Sequence, residues 1–113
     1  MSDQVIEVSP EEGHRRLEAG ALLLDVREAD EWEAGHADGA TWLPMTELGQ
    51  REGEIPTDRE IVVICRSGAR SARVTAALRA SGRDAVNLGG GSMAWVAAGL
   101  SFVRDDGLPG GID

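Results

Sequence analysis

Cys65, the only cysteine of the chain, is followed within five residues by two arginines and a glycine, in the run Cys65-Arg66-Ser67-Gly68-Ala69-Arg70. The thiolate is the reactive form of a cysteine, and nearby positive charge stabilises it. Arginine also presents a planar fork of N–H donors that matches an oxyanion. These residue types in this order predict a nucleophilic thiol that meets an anionic substrate.

The residues on either side of this run predict how the thiol is positioned. Ile61–Ile64 is an unbroken stretch of β-branched apolar residues, which is typical of a buried strand. After the run, Val74, Ala77 and Leu78 recur at helical spacing. A loop between a parallel strand and its following helix lies where α/β sheets bind ligands. The backbone N–H groups that open the helix have no helical partner and attract anions, and Gly68 permits the tight turn they need.

Other interpretations of the same loop remain open. A lone cysteine that ends an apolar strand is often only a small buried hydrophobic residue, although the two arginines favour chemistry. A cysteine-dependent phosphatase places an arginine six positions after the cysteine, whereas this chain has Ser71 there and Arg70 one step earlier. The tighter loop suits a small sulfane sulfur better than a tetrahedral phosphate. A phosphatase or arsenate reductase is therefore the weaker alternative.

Three segments together resemble the rhodanese (thiosulfate sulfurtransferase) domain family in its single-domain form. Residues 65–71 resemble its active-site loop, residues 22–44 its amino-terminal signature and residues 87–100 its carboxyl-terminal signature. They cover most of the chain in the family's order. The resemblance implies an α/β fold with a mainly parallel central sheet of about five strands and helices on both faces. The alternation of predicted strands and helices independently favours the same architecture.

The resemblance also implies a reaction, in which Cys65 takes a sulfane sulfur from thiosulfate or a similar small anion and carries it as a persulfide. A thiol or cyanide, or a thioredoxin-like protein, then accepts that sulfur. The residues implied to bind the donor and steady the persulfide are Arg66, Ser67, Gly68, Ala69, Arg70 and Ser71. Asp25 and Arg27 are implied to support the rim of the active site, Asp25 in a structural role. His36 is also expected to be structural. No metal or organic cofactor is implied. A non-catalytic binding or regulatory rhodanese-like module is the alternative.

The rest of the chain predicts a single domain over residues 1–104 and a mobile acidic tail rich in glycine and proline over 105–113. The expected strands cover residues 5–8, 21–26, 41–43, 61–64 and 85–88. The first helix is expected to be capped by Ser9 and Glu12, and to end at Gly20. Further helices are predicted over residues 28–34, after Gly68, and from a cap at Ser92. Residues 49–60 are expected to form a surface loop.

Composition limits the classes of partner. The formal net charge of −9 argues against binding to nucleic acid or to an anionic membrane surface. One cysteine and two distant histidines offer no cluster of zinc ligands. One cysteine also cannot form an internal disulfide, and residues 1–10 do not read as a secretory signal, so we expect a cytoplasmic protein. Nothing in the sequence demands more than a monomer. Because an acidic chain repels an anionic donor at long range, attraction must come from the arginines of the loop.

Overall fold

The structure, a computed structural model, describes residues 6–112. The strands are β1 (Glu7–Val8), β2 (Leu22–Asp25), β3 (His36–Ala37), β4 (Thr41–Trp42), β5 (Ile61–Ile64), β6 (Ala85–Leu88) and β7 (Phe102–Val103). The helices are α1 (Pro10–Glu18), α2 (Ala29–Ala34), α3 (Leu48–Arg51), α4 (Ala69–Ala80) and α5 (Gly91–Ala97). Short 3-10 turns cover Met45–Glu47 and Glu52–Glu54.

Five parallel strands form the central sheet, in the order β1-β6-β5-β2-β4. The remaining two strands, β3 and β7, pair antiparallel as a separate ribbon. The order places β5, the strand that runs into Cys65, in the middle of the sheet. The predicted α/β fold with a parallel sheet of about five strands is confirmed.

Both faces of the sheet are covered, and the side chains of β5 alternate between the two cores that result. Val62 and Ile64 pack into one core with Trp95 of α5, and α1 lies on the same side. Ile61 and Val63 pack into the other core, with Val74 of α4. Of the predicted apolar face of α4, Val74 and Leu78 are buried against the sheet, whereas Ala77 is exposed. Ser71 and Thr75 complete the buried face of this helix directly after the loop.

The first helix begins as predicted but is capped differently in detail. The Ser9 hydroxyl accepts a hydrogen bond from the Glu12 N–H at 3.1 Å, and Pro10 occupies the first turn. The Glu12 carboxylate, however, binds Arg15 and Arg16 within the helix. Of the predicted strand over residues 5–8, β1 covers Glu7–Val8, and Val5 lies outside the described residues.

Two further expectations differ from the structure. The predicted surface loop over residues 49–60 contains most of α3 and a 3-10 turn, and it buries Ile55 in the second core. Ser92 does not cap α5: Gly90 is the N-cap in a left-handed conformation, and Ser92 lies buried in the first turn. Three successive glycines, at positions 89–91, precede Ser92, and the sequence does not show which of them begins the helix.

Residues 105–112 make backbone contacts with the rest of the domain. The Gly110 N–H donates to the Phe102 carbonyl at 3.0 Å, and the Gly111 N–H donates to the Ala34 carbonyl at 3.0 Å. A Cβ on Gly110 would lie 2.7 Å from the Cα of Gly35, so the close contact of these backbones depends on glycine. These contacts use the backbone alone, so the composition from which a mobile tail is predicted gives no sign of them.

Across residues 6–112, no helix is both long enough and apolar enough to cross a membrane.

Candidate active site

Cys65 follows β5 directly, and its side chain is only 1% exposed. Its sulfur accepts a hydrogen bond from the Gly68 N–H, with a nitrogen-to-sulfur distance of 3.1 Å. The Ser71 hydroxyl donates to the same sulfur at 3.3 Å. The loop between β5 and α4 thus curls around the thiol and directs donors from two sides at one atom.

The surroundings favour the thiolate. Burial raises the pKa of Cys65, but hydrogen bonds from the Ser71 hydroxyl and from the backbone N–H groups of Ser71, Gly68 and Ser67 outweigh it. The pKa of Cys65 is therefore lowered from its ordinary value. The sequence predicted a thiolate stabilised by the nearby arginines. In the structure, the hydrogen-bond donors of the loop itself lower the pKa of Cys65.

Gly68 gives the loop its turn. Its φ of 106° lies in the left-handed region, where a side chain would be strained, and it is the N-cap of α4. Its carbonyl oxygen accepts hydrogen bonds from the Ser71 hydroxyl at 3.2 Å and from the Asn87 amide at 3.2 Å. Asn87, fully buried in β6, also donates to Glu7 at 3.0 Å. A polar residue within an apolar strand was the sequence signal that could have marked Asn87 as a support of the loop.

The start of α5 holds the first part of the loop. The Ser92 N–H donates to the carbonyl of Cys65 at 2.8 Å, and the Met93 N–H donates to the carbonyl of Arg66 at 3.1 Å. Gly91 makes this approach possible, because a Cβ there would lie 2.4 Å from the Cys65 carbonyl oxygen. These contacts hold the start of α5 directly against the active-site loop.

The two loop arginines differ in their surroundings. Arg66 is exposed, and its Nη1 lies 3.4 Å from the sulfur of Met93. Arg70 is half-buried and forms a two-point ion pair with Glu31 of α2, with N–O distances of 2.7 and 2.8 Å. Sequence reasoning did not identify Glu31, which is 39 positions from Arg70. Ser67 and Ala69, the remaining loop residues of the predicted site, are exposed.

Asp25 and Arg27 form a fully buried ion pair next to the loop. The Arg27 guanidinium donates to the Asp25 carboxylate through Nη2 at 2.8 Å and through Nε at 3.0 Å. Its Nη2 also donates to the carbonyl of Gly35 at 2.7 Å. A buried pair of charges is tolerated when each is paired and hydrogen bonded, as here. The pair joins the end of β2 to the end of α2, the helix that carries Glu31.

His36 lies in a separate aromatic cluster. Its ring stacks on Trp32 with centroids 3.5 Å apart, and Trp32 stacks in turn on Trp42 at 5.8 Å. Its two nitrogens lie 3.0 Å from the Trp32 carbonyl and 3.3 Å from the Asp105 carboxylate. These contacts fit the structural part expected for His36. Within residues 6–112, no three side chains of the metal-binding types come together at one point.

The fold and the loop agree with the comparisons with known proteins. The family model described as "Rhodanese-like domain" matches residues 9–98. The chain belongs to this family.

Relatives of known name place the chain beside sulfurtransferases. It is 44% identical over 87 residues to a protein of Allochromatium vinosum named "Sulfurtransferase". The match covers 76% of this chain and 81% of that protein. The chain is 40% identical over 93 residues to the probable adenylyltransferase/sulfurtransferase MoeZ of Mycobacterium tuberculosis, which covers 78% of this chain. That match spans only 24% of MoeZ, so the chain corresponds to about a quarter of that relative.

Among solved structures, the rhodanese-related protein of Thermoplasma volcanium superposes with a TM-score of 0.83 at 27% identity, covering 88% of this chain and 99% of that one. The likeness extends over nearly the whole of that structure. It supports the fold independently of the sequence relatives.

Proposed function

We propose that this chain is a sulfurtransferase that moves a sulfane sulfur from a small donor to a thiophilic acceptor through a persulfide on Cys65. The observation that carries the proposal is the convergence of the Gly68 N–H and the Ser71 hydroxyl on the Cys65 sulfur. Such donors stabilise a negative sulfur, and both the thiolate and the persulfide carry that charge. The sulfurtransferase relatives support the same reaction class.

In the first step, the Cys65 thiolate attacks the outer sulfur of a donor such as thiosulfate. A bond forms between Sγ and that sulfur while the donor's S–S bond breaks, and sulfite leaves with the electron pair. The terminal sulfur of the new persulfide takes up the negative charge within reach of the loop donors. Arg66, at the exposed rim, adds a positive charge for the incoming anion.

In the second step, an acceptor thiolate or cyanide attacks the terminal sulfur of the persulfide. The bond from Sγ to that sulfur breaks, and Cys65 leaves as a thiolate. A lowered pKa makes Cys65 a better leaving group here, and in the first step it raises the fraction of thiolate. The two steps return the enzyme to its starting state with no net change in oxidation state of the protein.

The proposal is tested by intact mass spectrometry of the protein after incubation with thiosulfate, before and after addition of cyanide. We expect a mass gain of one sulfur atom that cyanide removes. The same measurement is made with a thiosulfonate donor. If neither donor adds sulfur while the thiol still reacts with an alkylating agent, sulfur transfer is rejected and the binding-module alternative is favoured.

The pH dependence of thiol reactivity tests the part assigned to Ser71. The rate of alkylation by iodoacetamide rises as Cys65 loses its proton, so its midpoint reports the pKa of this thiol. Ser71→Ala removes a donor that lowers this pKa, and we expect the midpoint to move to higher pH. At a pH below the wild-type midpoint the variant then reacts more slowly.

Ser67→Ala is the matched control, because the donor that Ser67 supplies to Cys65 is its backbone N–H, which alanine retains. We expect its midpoint to stay at the wild-type value. If the Ser71→Ala midpoint equals the wild-type value, the Ser71 hydroxyl does not stabilise the Cys65 thiolate.

A further inference from the structure

We propose that Glu31 sets the charge preference of the site by neutralising Arg70, so that Cys65 accepts sulfur from singly charged donors, such as persulfides and thiosulfonates, in preference to doubly charged thiosulfate. The inference rests on sulfur transfer through Cys65 as proposed above. It assigns to Glu31 the part of a specificity-determining residue that touches neither the thiol nor the donor.

The geometry of the pair explains why Arg70 is occupied. Nη1 and Nη2 of Arg70 each donate to a different oxygen of Glu31, at 2.7 and 2.8 Å. This two-point arrangement is the one an arginine would offer to an oxyanion of a substrate. An anionic donor must therefore displace a carboxylate that is only 14% exposed before it can use Arg70 in that way.

Glu31 is held in place and kept ionised. The hydrogen bond from Arg70 lowers the pKa of Glu31, against the opposing effect of burial. Its Oε1 also accepts a hydrogen bond from the Glu28 N–H at 3.2 Å, which fixes the carboxylate at the first turn of α2. Behind it, Arg27 donates to the backbone carbonyl of Glu31 at 3.4 Å and belongs to the buried pair with Asp25.

The charges around the thiol consequently cancel. The hydrogen bond to Glu31 raises the pKa of the Arg70 guanidinium, and the negative charge of the Cys65 thiolate adds to that effect. The charge of Arg70 is matched by Glu31, as that of Arg27 is matched by Asp25. Arg66 lies at the exposed rim, within a chain of net charge −9. A dianion gains little from Arg70 or Arg27, because a carboxylate compensates the charge of each.

The test compares Glu31→Gln with Glu33→Gln. Glutamine at position 31 can still accept the hydrogen bond from Glu28, because glutamine also serves at this position of a helix start. Glu33 is an exposed residue of the same helix, so its substitution makes the same change in net charge away from Arg70. Unfolding in urea establishes that all variants fold.

The first readout is the ratio of Cys65 alkylation rates with iodoacetate, an anion, and iodoacetamide, a neutral reagent of similar size. The ratio cancels differences in access to the thiol and in thiolate fraction. We expect Glu31→Gln to raise it at least about fivefold, as the uncompensated charge of Arg70 attracts the anion, and Glu33→Gln to leave it unchanged. In the double variant Glu31→Gln, Arg70→Gln the gain should disappear.

The second readout is kcat/KM for thiosulfate divided by kcat/KM for methanethiosulfonate, a singly charged donor. We expect this quotient to rise in Glu31→Gln and not in Glu33→Gln. An unchanged alkylation ratio in Glu31→Gln, or a gain that survives loss of Arg70, overturns the assignment to Glu31 whatever the donors do. If the ratio rises but no donor loads Cys65 in any variant, sulfur transfer itself fails, and the donor preference fails with it.

Discussion

Replacement of Cys65 by serine is expected to reduce sulfur transfer by at least about 10⁴-fold, as removal of a nucleophile does in other enzymes. A hydroxyl at this position has no readily formed anion and cannot carry a sulfane sulfur as a persulfide. The substitution is nearly isosteric, and the hydrogen bonds from Gly68 and Ser71 can reach an oxygen as well as a sulfur. The fold should therefore survive.

Two measurements check this expectation: steady-state turnover with a sulfur donor and cyanide, and intact mass after the donor alone. The urea midpoint shows that the variant is folded. Cys65→Ala serves as a second variant if the serine hydroxyl perturbs the loop. Turnover retained in both variants, or sulfur still added to either chain, would place the chemistry away from Cys65.

Replacement of Gly91 by alanine is expected to have the second largest effect. Its φ of 61° is left-handed, and the new Cβ would lie 2.4 Å from the Cys65 carbonyl oxygen and 2.6 Å from that of Arg66. The neighbours are backbone atoms of the active-site loop, which cannot rotate away. We expect a loss of about 3–4 kcal/mol in the free energy of unfolding. A loop displaced by about 1 Å should also lower turnover about 10²-fold.

Gly99→Ala separates the effect of the steric clash at Gly91 from the effect of the left-handed backbone. Gly99 has a similar φ of 78°, but a Cβ there would meet no atom within 4 Å. It should cost only about 1 kcal/mol, the strain of a left-handed alanine, and leave turnover at the wild-type rate. Urea unfolding and steady-state kinetics measure both effects. Equal losses in the two variants would contradict the claim that Gly91 is required for contact between α5 and the loop.

The central part of the fold could be predicted from the sequence because its signals are local. Ile61–Ile64 is apolar on both faces, as only a strand in the middle of a covered sheet needs to be. Gly68 follows the strand by four positions, and the left-handed turn it permits is the one the loop adopts. Local residue types therefore predicted both the position of Cys65 and the course of the chain around it.

The electrostatics of the site could not be predicted in the same way. The charge of Arg70 is evident in the sequence, but its partner Glu31 lies on another helix and becomes its neighbour only when β2 and β5 pair. A count of charges along the loop thus gave two arginines for a donor, whereas in the folded chain Glu31 compensates the charge of Arg70. The supporting contacts from Asn87 and Gly91 likewise depend on how β6 and α5 pack.

The backbone contacts of residues 105–112 escaped prediction for a different reason. Its anchors are backbone hydrogen bonds from Gly110 and Gly111, so its composition resembles that of a linker. Asp105 gains a contact with His36 that no spacing rule relates to it. Composition describes what side chains can bury, and this segment is attached mainly through atoms that all residues share.

The active-site loop is shaped mostly by main-chain contacts. Its conformation therefore does not depend on the exposed side chains that a donor or acceptor meets. The amides of Gly68, Ser92 and Met93 fix the loop, while the side chains at positions 66, 67 and 69 project outward. Substitutions at those three positions can therefore accumulate without altering the recess around the sulfur. The surroundings of the reactive sulfur therefore stay the same while exposed side chains of the loop change. In evolution or in laboratory redesign, the substrate or protein that meets this sulfur can thus be altered by substituting one exposed side chain at a time.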